Sequence, residues 1–172
     1  AEAQFNLALG HERGEGVPEN DAEAVKWYRL AADQGNARAQ FNLALMYSDG
    51  EGVTQNDAEA AKWLQLAAIR GYGDAQLLLG AMYFEGVGVP KDDAEAVKWY
   101  RKSALQGNAK ALFMMGNSYL NGEGVAIDKV EAIAYWELAS PNDLSARQSL
   151  GFLKQVTLPL TVWQGERRAR AL

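Results

Sequence analysis

The chain has 172 residues, 48% hydrophobic and 23% charged, with a formal net charge of -5 and a pI near 5.0. That apolar share can bury a sizeable core, while the acidic balance argues against a phosphate-neutralising surface, so no nucleic acid is expected as a partner. No run of about 18 apolar residues suggests membrane insertion and the opening AEAQFNLALG does not read as a signal peptide; zero cysteines and one histidine leave no disulfide framework and no thiolate metal site.

The first predicted element runs from the N-terminus to Gly14, and it returns at a fixed step. Gly16-Val17, Gly52-Val53, Gly88-Val89 and Gly124-Val125 stand 36 residues apart. Trp27, Trp63, Trp99 and Tyr135 keep that step, as do Ala3, Ala39, Ala75 and Ala111. A period of this kind dictates the architecture, with two helices expected in each unit. Helix A is plainest from Ala37, where Ala39, Leu43, Met46 and Tyr47 fall on one helical face. It should close at Gly50, with turns at Gly14 to Gly16, Gly50 to Gly52, Gly86 to Gly88 and Gly122 to Gly124.

Helix B should begin at Asn56, whose side chain can accept a first-turn N–H while Glu59 reaches back to the cap. Asn20 with Glu23, Asp92 with Glu95, and Asp128 with Glu131 repeat that box. Ala60, Trp63, Leu64, Ala67 and Ala68 set one indole among small residues, and the repeated Trp27, Trp63 and Trp99 read as core. Gly35, Gly71 and Gly107 end helix B. After the fourth unit, LSARQSLGFLKQ reads as the start of a fifth with one residue deleted, which puts Ala146 at the place of Ala111 and Phe152 at that of Asn117. The closing TLPLTVWQGERRARAL reads as a capping helix or tail, with Pro159 in its first turn, Leu160 and Trp163 inward, and Arg167, Arg168 and Arg170 outward.

Isolated helix pairs could not cover their apolar faces, so neighbouring pairs must stack. The expected fold is all-α: a right-handed α-α superhelix, or solenoid, of antiparallel helix pairs. It spans 1–156 as units 1–36, 37–72, 73–108 and 109–144 with a partial fifth at 145–156, followed by 157–172 as cap or tail.

The stretch AQLLLGAMYFEGVGVPKDDAEAVKWYRKSALQG, from Ala75 to Gly107, resembles the Sel-1-like repeats, relatives of the tetratricopeptide repeat. Their pattern A-x-x-x-L-G-x-x-Y-x-x-G-x-G-V, then D-x-x-K-A-x-x-W-Y-x-x-A-A-x-x-G, lacks here the lysine, replaced by Glu95, and one alanine, replaced by Ser103. The resemblance covers Ala1 to Ser140 in four units. Departures are His11 in a tyrosine place, Asp143 in place of a helix-ending glycine, and no Gly-x-Gly-Val after Lys154. The chain opens on a helix A, with Ala1 matching Ala37, which suggests an excerpt of a longer array. The resemblance implies a non-enzymatic scaffold or adaptor that binds a protein or peptide, with the bacterial periplasm or a secreted location slightly favoured. It also implies an alternative: a bacterial cell-wall or small-molecule-binding protein with weak β-lactamase-like hydrolase activity, as suggested for cysteine-rich relatives.

The residues themselves carry little chemistry. His11 cannot form a zinc site alone and reads as filling a tyrosine slot, and no Gly-x-Ser-x-Gly elbow is present. The Gly-x-Gly turns lack the Lys-Ser/Thr of a phosphate loop and precede acidic or amide caps. Asp49, Glu51, Glu85 and Glu123 near the turns read as solvated helix ends. No catalytic residue, cofactor or metal is expected.

Comparison between units isolates the binding candidates, because positions that keep their chemistry serve the stack and positions that change are free to specialise. The changing helix A positions are Glu2, Asn6, Leu9 and Arg13, then Arg38, Asn42, Leu45 and Asp49, then Asp74, Leu78, Ala81 and Glu85, and last Lys110, Met114, Asn117 and Asn121. Their i, i+4, i+7, i+11 spacing makes one stripe per helix. In a tetratricopeptide-like stack this row lines the concave side, and its asparagines suit an extended peptide backbone.

Overall fold

A computed structural model describes residues 1–156 and 167–171. Among them are nine α-helices, one further helical turn at 167–169, and no strand. The helices are α1 Glu2–Arg13, α2 Asp21–Asp33, α3 Ala37–Asp49, α4 Asp57–Ile69, α5 Gly73–Glu85, α6 Asp93–Ala104, α7 Ala109–Asn121, α8 Lys129–Ala139 and α9 Leu144–Val156. They fall into two compact units, Ala1–Lys91 and Asp92–Leu172. Within each, consecutive helices pack together: α1 to α5 in the first, α6 to α9 in the second. The expected inward Leu160 and Trp163, and Pro159, lie outside the described residues.

Helix A ends as its glycines predict. Gly14, Gly50, Gly86 and Gly122 take left-handed φ of 66 to 78°, and the carbonyl of Met46 accepts both the Gly50 and Glu51 N–H at 2.9 and 3.1 Å. These bonds satisfy an acceptor that the helix end leaves open. The second glycine of each turn does more than bend the chain. A Cβ on Gly52 would stand 2.3 Å from the Asp21 carbonyl carbon, one on Gly88 2.2 Å from the Asp57 oxygen, and one on Gly124 2.1 Å from the Asp93 oxygen. The turn after each of these A helices is pressed onto the first turn of the preceding helix B.

The predicted caps are present in half of their expected form. Asn20, Asn56, Asp92 and Asp128 accept from the N–H of Glu23, Glu59, Glu95 and Glu131 at 2.9 to 3.1 Å. The reciprocal arm is not used in the first, second and fourth units. The Asn56 N–H donates to the Tyr47 carbonyl at 2.8 Å, the Asn20 N–H to that of His11 at 2.8 Å and the Asp128 N–H to that of Tyr119 at 2.9 Å. Glu23 and Glu59, released from the cap, pair with Lys26 and Lys62 at 2.5 Å. Asp143 is also corrected. It does not replace a helix-ending glycine but accepts the Ala146 N–H at 2.8 Å as the cap of α9, the place that Asn36 and Asn108 hold on α3 and α7. The deleted residue shifts the register by one.

The core is set one residue along from the repeated tryptophan. Trp99 is buried, but Trp27 and Trp63 are only half-buried. The deeply buried places are Tyr28, Leu64, Tyr100 and Trp136, at 0, 4, 1 and 2% exposure. A single step turns a helical side chain by about 100°, enough to move it from the centre of the packed face to its margin. Trp136 lies on Gly116, where a Cβ would come within 2.3 Å of its Nε1, and that nitrogen donates to the Phe113 carbonyl at 3.2 Å. Ala39, Ala75 and Ala111 are fully buried, whereas Ala3 is exposed.

Candidate functional site

The predicted stripe has one profile in α3, α5 and α7, while in α1 its first two places are both exposed. Its ends are exposed: Arg13, Arg38, Asp49, Asp74, Glu85, Lys110 and Asn121, together with Glu2 and Asn6 in α1. Its middle is half-buried: Leu9, Asn42, Leu45, Leu78, Ala81, Met114 and Asn117.

In Ala1–Lys91 the stripes of α3 and α5 meet. Leu45, Leu78, Ala81 and Glu85 line a cleft of about 200 Å³, floored by Leu64 of α4 and closed at one end by Val87. Its lining is mostly apolar, with Ser48 and the exposed Glu85 as the polar groups, so it suits an apolar side chain. In Asp92–Leu172 a cleft of about 370 Å³ is lined by Asn117 and Leu120 of α7, Trp136 of α8, and Gln148, Ser149 and Phe152 of α9. Allowing for the one-residue deletion, Asn117, Trp136, Ser149 and Phe152 occupy the repeat places of Leu45, Leu64, Leu78 and Ala81. The same positions thus build a cleft twice with different linings: aliphatic in one, aromatic with amides in the other.

Several stripe residues are engaged elsewhere. Asn42 donates Nδ2 to the Tyr28 hydroxyl at 2.9 Å, and that hydroxyl in turn donates to Glu12. The amide thus serves the packing of α3 on α2. Burial, and next the hydrogen bond to Glu12, pushes the Tyr28 phenol well above its ordinary value. Arg38 lies over the Phe5 ring at 4.4 Å and 3.9 Å from Glu2, joining two stripe residues across α1 and α3. Asn121 reaches Glu123 at 3.4 Å. Asn6, Leu9, Lys110 and Met114 line neither cleft.

Sequence reasoning missed the floor and the far wall. Leu64 was legible only among the packing residues of helix B, since a groove floor and a core position share one apolar signature, and Trp136, one place past the repeated Tyr135, was not singled out. Phe152, 66% exposed, could have been found by carrying the stripe into the partial fifth unit, where it falls at the i+7 place. His11, half-buried, stands at a tyrosine place with Nδ1 3.3 Å from the Pro18 carbonyl oxygen. Among the described residues no group of three or more His, Asp or Glu could hold a metal ion, and no helix is long and apolar enough to cross a membrane.

Comparison with known proteins gives one consistent result. The family model described as Sel1 repeat matches residues 1–36, 37–72, 73–108 and 109–140. No curated protein matches the chain significantly. Among solved structures, a Sel1 repeat protein from Oxalobacter formigenes is 36% identical over 88% of this chain, with a TM-score of 0.86. The chain spans 63% of the length of that structure. A protective antigen of uropathogenic Escherichia coli, c5321, described as displaying an SLR fold, is 29% identical over 99% of this chain and 45% of its own, with a TM-score of 0.51. Helicobacter pylori cysteine rich protein B is 22% identical over 74% of this chain and 92% of its own, with a TM-score of 0.59, a likeness of fold.

Proposed function

The chain belongs to the Sel1 repeat family, whose α-α solenoids are generally non-enzymatic scaffolds for protein interaction, and on that premise we propose that its helix A clefts bind a peptide or protein segment. The observation that carries this reading is the recurrence of one cleft at the same repeat places in both compact units. The stacking positions stay constant while the lining changes, from Leu45, Leu78 and Ala81 to Asn117, Ser149 and Phe152. Repeat proteins recognise partners by such variation on a constant frame. The aliphatic cleft would take an apolar anchor; the Asn117 amide beside the second can both donate to and accept from a peptide backbone.

Panning a displayed peptide library against the chain, then measuring the recovered peptides by fluorescence anisotropy, tests the assignment. Leu78→Glu should remove about 2 kcal/mol of binding, roughly thirtyfold in Kd, as expected for loss of a central apolar contact. Asn117→Ala should weaken binding by about 1 to 3 kcal/mol if its amide bonds a buried peptide group. Charge reversal at Lys26, Lys62 and Lys98, exposed on the B helices and paired with Glu23, Glu59 and Glu95, should leave Kd unchanged. The opposite pattern would move the binding surface to the B helices and overturn the proposal.

A further inference from the structure

A second cleft, of about 350 Å³, lies in Asp92–Leu172. Arg101, Ala104 and Leu105 at the end of α6, Leu112 of α7, and Tyr135 and Leu138 of α8 line it. It shares no residue with the helix A clefts. Comparing repeat places shows what is special about it. Where Leu112 stands, the two preceding repeats carry Gln40 and Gln76, both buried, which donate Nε2 to the Ala32 and Ala68 carbonyls at 3.0 Å. The equivalent acceptor here is the Ala104 carbonyl, which receives the Gly107 N–H at 2.9 Å. Leu112 offers it no donor. Where Tyr135 stands, the other units carry the larger indoles of Trp27, Trp63 and Trp99. A glutamine has become apolar and an indole has become a phenol around one carbonyl.

The mouth of this cleft is cationic. Arg101 is exposed, donates from Nη2 to the Tyr119 hydroxyl at 3.3 Å, and stands beside the Tyr135 phenol. Both are neutral oxygens, and no carboxylate pairs with Arg101 among the described residues. A guanidinium has five N–H donors in a planar fork that matches a carboxylate. In a chain of net charge -5, an arginine whose partners among the described residues are the Tyr119 and Tyr135 hydroxyls, beside an apolar cleft, favours an anionic occupant. Leu105, 83% exposed, and Leu138 supply apolar walls with Leu112 between them.

From this arrangement we infer that the cleft binds the C-terminus of a partner polypeptide ending in an apolar residue. The terminal side chain lies among Leu105, Leu112 and Leu138, its N–H donates to the Ala104 carbonyl in place of the missing glutamine, and its carboxylate is held by Arg101. Each element of the occupant answers one feature of the cleft: volume, acceptor and charge.

The test uses the full chain, ¹⁵N-labelled, titrated with acetyl-Ala-Ala-Leu as the free acid and as the C-terminal amide, read by NMR. The acid should shift the amides of Gly107, Leu112 and Leu138 in a saturable manner, and the amide should bind at least about tenfold more weakly. Leu112→Gln restores the residue that the preceding repeats carry, so it should leave thermal stability intact and weaken the acid about tenfold, as should Arg101→Gln. Absence of shifts at these residues, equal binding of acid and amide, or undiminished binding by both variants would overturn the inference. Octanoate binding as tightly as the peptide would also overturn it, since a simple fatty carboxylate would then suffice. Because Leu78 and Asn117 lie elsewhere, their variants should not alter this titration; failure at one site is distinguishable from failure at the other.

Discussion

Tyr28 is the residue whose environment makes the sharpest claim. Its ring is fully buried, and its hydroxyl donates to Glu12 while accepting from Asn42. Burial and the neighbouring carboxylate both oppose the phenolate, so the folded pKa lies above the unfolded value of about 10. A raised pKa means that the folded state holds its proton longer. The stabilisation is therefore complete below about pH 10 and is lost as pH rises from there through the folded value. Urea midpoints measured from pH 8 to 11 should fall less steeply above pH 10 in Tyr28→Phe than in the unmodified chain. Equal slopes would show that the phenol ionises as freely folded as unfolded. The glycines give a paired test at the same scale. Gly16 and Gly52 share a left-handed φ, 78 and 66°, but a Cβ on Gly16 meets nothing while one on Gly52 collides with the Asp21 backbone. Gly16→Ala should cost about 1 kcal/mol through backbone strain alone, and Gly52→Ala more than about 2. Similar losses in chemical denaturation would mean that the turn can lift off α2.

At the scale of the helix, the caps separate what a sequence can announce from what packing decides. The Asn56 side chain is the acceptor for the Glu59 N–H, so Asn56→Ala should destabilise by about 1 kcal/mol in urea denaturation. Glu59→Ala should cost less than about 0.5, because Glu59 forms only an exposed pair with Lys62. A larger loss for Glu59 would restore the reciprocal box. Helix ends were legible because glycine and asparagine have local reasons to stand where they do. The use of the Asn56 N–H was not, since its acceptor is the Tyr47 carbonyl of another helix. The same limit explains the tryptophans. Strict recurrence marks Trp63 as structural, yet whether it or Leu64 faces the centre depends on about 100° of rotation that only the neighbouring helix fixes. Of the site, the half-buried stripe was legible from variation between repeats. The clefts were not, because Leu64, Trp136 and Phe152 reach them from other helices.

For the whole molecule, the decisive property is that each helix packs with its chain neighbours within its own unit. In such arrays stability is close to a sum of repeat and nearest-neighbour terms, so damage stays near its source. Trp136 is the place to test this, being 2% exposed, laid on Gly116 and bonded to the Phe113 carbonyl. Trp136→Ala removes an indole that no neighbour can replace and should cost about 3 to 5 kcal/mol where it acts. It should also leave the Phe113 carbonyl without its indole donor, which adds to the loss. Amide hydrogen exchange resolves where that cost falls. Protection should drop in α7, α8 and α9 while the amides of α1 to α4 keep their rates. A uniform fall from α1 to α9 would show instead that the chain unfolds as one cooperative body, and the two helix A clefts would then have to be treated as one energetic site.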